Sequence, residues 1–227
     1  MLKDRILDIF FPAKCLLCQR VLSRDETDLC HNCRKDTEEY PKPKHKISFV
    51  AGWTAMWYYN GNVRHSLLLY KLYNRRSYGA VYGRLLAMML SSKPLCDYDI
   101  LTWVPVSRRR RWLRGYDQVE LIARSAGQEL NTPAIAVLKK IKHTKPQSRL
   151  PDYARRKANV MGVFSVSDPA LIAGKRILLL DDIITTGATL NTCATLLKKA
   201  GAKEIVCLTI ASTDTIKDGS FLSNNGN

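Results

Sequence analysis

The sequence lacks any run of about 20 mostly apolar residues, the length a helix needs to cross a bilayer. Its longest uncharged stretch, Ile47 to Val63, is broken by Gly52, Thr54, Asn60, Gly61 and Asn62. No membrane span is expected. No secretory leader is expected either, because Asp4 and Asp8 fall where the apolar core of such a signal would lie. The expectation is a cytoplasmic protein, in which seven cysteines are not a disulfide framework. Acidic residues are scarce: 20 Asp/Glu stand against 36 Lys/Arg, a formal net charge of +16. Such an excess points to a polyanion or a highly phosphorylated ligand. Apolar residues are not scarce. At 46% of 227 residues they exclude wholesale disorder and can fill a real core.

One composition break divides the chain. A Pro/Lys/His stretch, Tyr40 to Lys46, follows a cysteine-rich segment. It predicts a module over 1–44, a larger domain over 45–213 and a polar tail over 214–227. Residues 2–10 show a helical face of Leu2, Ile6, Ile9 and Phe10, ending before Pro12. Strands are expected at 47–59, 99–106, 134–138, 175–181 and 204–211. Helices are expected at 63–73, 78–90, from the Asp117 cap to about Leu130, and at 188–200 before Gly201. Residues 142–158 are basic and poor in apolar side chains, as in a loop or flap. Buried strands alternating with helices give an α/β fold with a mostly parallel sheet.

Cys15-Leu-Leu-Cys18 and Cys30-His-Asn-Cys33 are separated by eleven residues. Two such knuckles supply four thiolates that can close around one Zn²⁺. A metal suits a segment with few apolar residues, because its binding energy becomes folding energy. Redox pairs and free thiols are the other readings, and His31 could replace one Cys. Cys96, Cys193 and Cys207 read as core residues.

The sharpest pattern is Ile177-Leu-Leu-Leu-Asp181-Asp182-Ile-Ile-Thr185-Thr186-Gly187-Ala188-Thr189. A buried strand delivers two carboxylates to the end where open α/β sheets bind ligands. A hydroxyl-rich turn then enters a helix, whose backbone N–H groups make a phosphate cradle. Gly187 lets the backbone approach closely. Asp181 and Asp182 suit ribose hydroxyls or water-bridged Mg²⁺. No Lys follows the Gly, so this is not a Walker loop. The alternative is an acidic strand end followed by a Thr cap.

This segment resembles the 5-phosphoribosyl-1-pyrophosphate (PRPP) motif of type I phosphoribosyltransferases. The likeness implies that Asp181 and Asp182 hold the ribose and that Thr185, Thr186, Gly187, Ala188 and Thr189 hold the 5-phosphate. Three further features resemble the ComF family within that superfamily: the four-Cys module, the stretch Val104 to Gln118, and Gln147-Ser-Arg-Leu150 with Arg155 to Val160 and Phe164. The Arg114-Gly-Tyr-Asp-Gln118 run is similar to the family's RGF-Asn-Gln pattern, with Tyr116 for Phe and Asp117 for Asn. The resemblance implies a three-layer α/β fold of the type I phosphoribosyltransferase kind with a zinc-ribbon-like N-terminal module. It also implies a pyrophosphate loop at Val104 to Ser107, with Val106, Ser107, Lys71 and Arg114 as contacts, and a flap at 142–158. Lys71 reads equally as a solvated helical lysine.

Between residues 105 and 160 there are fourteen Lys/Arg against four Asp/Glu, a net +10 of the +16. Arg108, Arg109, Arg110, Arg111 and Trp112 mix cations with an aromatic ring, as in single-stranded nucleic-acid binders. A solvated basic loop is the alternative. The ComF resemblance implies a role in natural competence, with single-stranded DNA and a helicase-like ATPase as partners. The activity it implies is phosphoribosyl transfer with Mg²⁺; a PRPP sensor or DNA-gripping module without turnover is the competing class.

Overall fold

The computed structural model describes residues 12–37, 46–92, 97–141 and 162–213. In chain order the elements are α1 (His31–Asp36), β1 (Gly52–Tyr58), α2 (Gly61–Leu72), α3 (Ser77–Ser92), β2 (Ile100–Trp103), α4 (Arg108–Arg114), α5 (Gln118–Glu129), β3 (Leu138–Lys140), β4 (Phe164–Val166), β5 (Arg176–Ile184), α6 (Ala188–Lys199) and β6 (Glu204–Ser212). The expected helix at 2–10, Cys96, the flap at 142–158 and the tail lie wholly or almost wholly outside the described residues.

The main sheet has the order β1-β6-β5-β2, and every neighbour is parallel. Its strands are apolar on both faces because both are covered. On one face Leu178, Leu180, Leu208 and Leu101 pack with α2, α3 and α5. On the other, Ile177, Leu179, Ile205 and Cys207 pack with α6 and the antiparallel β3–β4 pair. This is the three-layer α/β fold. Cys15, Leu16, Leu17, Leu29, Cys30 and Cys33 join the first of these cores, so the cysteine module is built onto the α2/α3 face.

Four segments differ from the expectation. Strand β5 runs past residue 181 to Ile184, because β6 continues beside it, pairing Asp181 with Thr209 and Ile184 with Ser212. β2 stops at Trp103, opposite Leu180, just before Pro105, whose missing N–H cannot extend a ladder. Residues 108–114, read as a loop, form α4. Ser107 caps it by accepting from the Arg110 N–H, and Gly115 closes it at φ 75°, a left-handed turn that glycine adopts without strain. Finally, 134–138 is not one strand. Ala134 bridges Leu101, and β3 begins at Leu138.

Candidate functional site

Successive side chains of a strand point to opposite faces. Asp182 therefore shares the face of Leu178 and Leu180, and Asp181 that of Ile177 and Leu179. The two acids straddle the end of the sheet instead of forming a chelating pair. Asp182 meets α2: Lys71 Nζ lies 2.7 Å from its Oδ2, with both side chains about one-fifth exposed. Lys71 is thus not a solvated lysine. Asp181 faces the α6 side, and its Oδ1 accepts from the Asp182 N–H at 2.8 Å. Burial, then the Asp182 charge, holds the Asp181 carboxyl well above the ordinary range, while Lys71 and Lys140 draw it down.

The turn after β5 enters α6 through Gly187 at φ 70°. Asp181, Thr185, Gly187, Ala188 and Thr189 line a small crevice there. The Thr186 hydroxyl is buried without a hydrogen-bond partner among the described residues. A buried hydroxyl left unpaired costs free energy, so Thr186 carries an unmet hydrogen bond next to Thr185 and Gly187, which line the crevice.

The Val104–Ser107 turn is fastened from behind. Asp117 is 3% exposed. Its Oδ2 accepts from the Val106 N–H at 2.8 Å, and its Oδ1 accepts from Val119 and Glu120, capping α5. Burial raises the Asp117 carboxyl, and these N–H groups oppose that. Arg114 donates to Gln118 Oε1 at 2.6 Å, and Gln118 donates to the Lys71 carbonyl at 3.4 Å. Burial and then the neighbouring Arg110 charge lower the Arg114 guanidinium, and the Asp182 charge opposes them. Arg114, Gln118, Lys71 and Asp182 thus form one connected edge of the site.

Lys140 was not singled out from sequence. Burial lowers its ammonium, Arg110 adds to that, and Asp181 opposes it. Its only sequence signal is the Lys139-Lys140 pair closing a short strand before the basic stretch. Lys140 also lines a cleft of about 560 Å³ with Pro105, Val106, Arg108, Arg109 and Lys139. Trp112 is 82% exposed on α4, and Arg111 is paired with Glu120 at 3.3 Å.

The four cysteine Sγ atoms lie within 4.8 Å of one another. Thiolates at about 2.3 Å from one tetrahedral zinc stand about 3.8 Å apart, and the Cys18 and Cys30 sulfurs are 3.7 Å apart. The Cys30 N–H points to Cys15 Sγ and the Cys33 N–H to Cys30 Sγ. Burial pushes the Cys30 thiol up, but the Cys33 N–H, Arg20 and the neighbouring thiols outweigh it and bring it to about 6. Four soft donors in this geometry are a closed, structural zinc site. His31 takes no part; its ring bonds Asp25 at 2.8 Å.

A model of the phosphoribosyl transferase domain matches residues 121–218, and a model of the double zinc ribbon domain matches residues 6–44. Competence protein F of Haemophilus influenzae is 27% identical over 219 residues, covering 86% of this chain and 95% of that protein. Competence protein ComFC of Streptococcus pneumoniae is 29% identical, covering 84% of each chain. DNA utilization protein YhgH of Salmonella typhimurium is 28% identical, covering 84% of this chain and 86% of its own length.

The chain is similar over most of its length to the ComF proteins, and it joins a double zinc ribbon to a phosphoribosyl transferase domain.

Both departures of this chain from the ComF RGF-Asn-Gln pattern have a use in the fold. The Tyr116 hydroxyl donates to the Tyr70 carbonyl at 3.1 Å, which Phe could not do. Asp117 accepts with both carboxylate oxygens; Asn would turn one of them into a donor. No helix among the described residues is long and apolar enough to cross a membrane.

Proposed function

We propose that this chain binds PRPP with Mg²⁺ and transfers its phosphoribosyl group to an acceptor in natural competence. The observation that carries the reading is the unpartnered Thr186 hydroxyl in the turn that joins the acids to Gly187. On this reading Thr185 to Thr189 hold the 5-phosphate, and Asp181 and Asp182 accept from the ribose hydroxyls. Lys71, Arg114, Lys140 and the Val106–Ser107 turn face the pyrophosphate, with the 560 Å³ cleft beyond. Pyrophosphate leaves C1 as an acceptor nucleophile attacks an oxocarbenium-like centre. The protein positions the reactants and stabilises the departing charge, which Mg²⁺ shares.

Calorimetric titration of the full-length protein with PRPP and Mg²⁺ tests the binding. Saturable heat that Asp182→Asn reduces at least tenfold in affinity supports it, and equal heat in both proteins overturns the site. Pyrophosphate release over a panel of bases, nucleotides and DNA ends then separates a transferase from a sensor. Binding with a silent panel favours the sensor.

A second activity is favoured by α4, where Arg108 to Arg111 precede the exposed Trp112 on one short helix, with Tyr73 of the α2–α3 turn 67% exposed. Cations take phosphates and rings stack on bases in single-strand binders. Affinity for single-stranded DNA then falls steeply with salt, the logarithmic slope being about −0.7 per phosphate neutralised. A flat salt response removes this reading. The helicase-like ATPase implied as a partner is tested by co-purification with the full-length chain.

A further inference from the structure

The cysteine module and Asp182 meet opposite ends of one helix. Along α2, Asn62, Ser66 and Tyr70 recur every four residues, so they form a single stripe. Asn62 Nδ2 reaches Cys33 Sγ at 3.8 Å, touching a metal ligand directly. Ser66, fully buried, donates to the Leu16 carbonyl at 2.7 Å, inside the first Cys knuckle, and shares a 2.7 Å hydrogen bond with the Tyr82 hydroxyl. The Tyr70 hydroxyl donates to the Gln118 carbonyl at 2.8 Å. The next residue is Lys71, 2.7 Å from Asp182. Two more ties hold the module down on α3: Tyr78 donates to Gln19 Oε1 at 2.6 Å, and Arg84 grips Asp28.

We infer that Asn62 and Ser66 are positioning residues: the metal-held knuckles fix the axial placement of α2 and thereby seat Lys71 against Asp182. The reasoning is mechanical. A helix is stiff along its axis because each turn is hydrogen-bonded to the next. Its placement is therefore set by its fixed contacts, and on this stripe two of them go to the cysteine module. Leu16 is held where Ser66 meets it by the fold of the knuckle, which exists as a closed loop because Cys15 and Cys18 share a metal. The module thus acts on the ligand site without contributing a residue to it. This rests on reading Lys71 and Asp182 as part of the PRPP site.

The test uses the full-length, zinc-loaded protein and its Ser66→Ala variant, with zinc content measured in both. The first readout needs no ligand. Backbone hydrogen exchange of Ser66→Ala is expected to rise about tenfold or more at residues 69–72 and 114–118, with 190–199 unchanged and zinc retained. A change confined to 15–37 and the first turns of α2, or no change, overturns the inference. The second readout is a double-mutant cycle on PRPP affinity. Ser66→Ala is expected to weaken binding about fivefold alone and less than twofold on a Lys71→Met background; equal effects on both backgrounds overturn it. Should the wild-type protein bind no PRPP, the site reading fails while the exchange readout still decides the inference. If Ser66→Ala unfolds, Asn62→Ala at the module end of the same stripe replaces it, with the same expected and overturning results.

Discussion

Lys71 and Asp182, 111 positions apart in the chain, place an ammonium 2.7 Å from a carboxylate oxygen at the open end of the sheet. One comes from the C-terminal turn of α2 and the other from the strand edge that β2 leaves uncovered. The pair gives the acid face a built-in counter-charge.

Lys71→Met removes that cation and keeps the aliphatic stem. Loss of one partner from a half-buried pair is expected to cost about 1–2 kcal/mol, between the exposed and buried limits. PRPP affinity should fall about tenfold or more. Chemical denaturation and calorimetry check the two effects; unchanged affinity would place Lys71 outside the ligand site.

Asp181→Asn should separate stability from binding. The folded-state value of this carboxyl lies above its unfolded value of 3.8. The folded state therefore binds the proton more tightly than the unfolded one. Stability rises as pH falls through the folded value, and at neutral pH the ionised group is a liability. The Asn variant should melt a few degrees higher at pH 7, at about 2–4 °C per kcal/mol for a chain of this size. The gain should shrink as the pH is lowered, and PRPP binding should weaken. Thermal melts across pH, with a parallel titration, decide it.

Thr186→Val replaces an unpartnered buried hydroxyl with a methyl group. The ligand-free fold should be unharmed, or firmer by up to about 1 kcal/mol, because no hydrogen bond is lost. Phosphate-bearing ligands should bind at least fivefold more weakly. A melt and a titration of the same sample compare the two outcomes.

Asp117→Asn is conservative in shape only. Its Nδ2 would face the Val106 N–H, donor against donor, where a carboxylate oxygen now accepts. A loss of about 1–3 kcal/mol is expected, with faster exchange at Val106. Wild-type exchange there would show that the turn is held by other means.

Much of the arrangement was legible in the sequence because it is local. The four-Cys spacing, the apolar run into two acids, the Thr-Gly turn and the Asp117 cap are each written within a few residues. Hydrogen bonding and backbone geometry act over that range. The Arg108–Arg114 helix was obscured because four consecutive arginines carry no apolar periodicity, and its evident signals are the Ser107 cap and the Gly115 stop.

What the sequence determined by itself was the chemistry available: four clustered thiols, two adjacent carboxylates, a hydroxyl-rich turn and an excess of cations. Only the tertiary structure decided how these are shared out. The acids point to opposite faces because β6 keeps β5 extended through them. Lys71 became a partner of Asp182, and the cysteine module became the footing of α2, because those contacts join residues from 29 to 111 positions apart. No local pattern encodes such distances; they follow from closing one core around both segments.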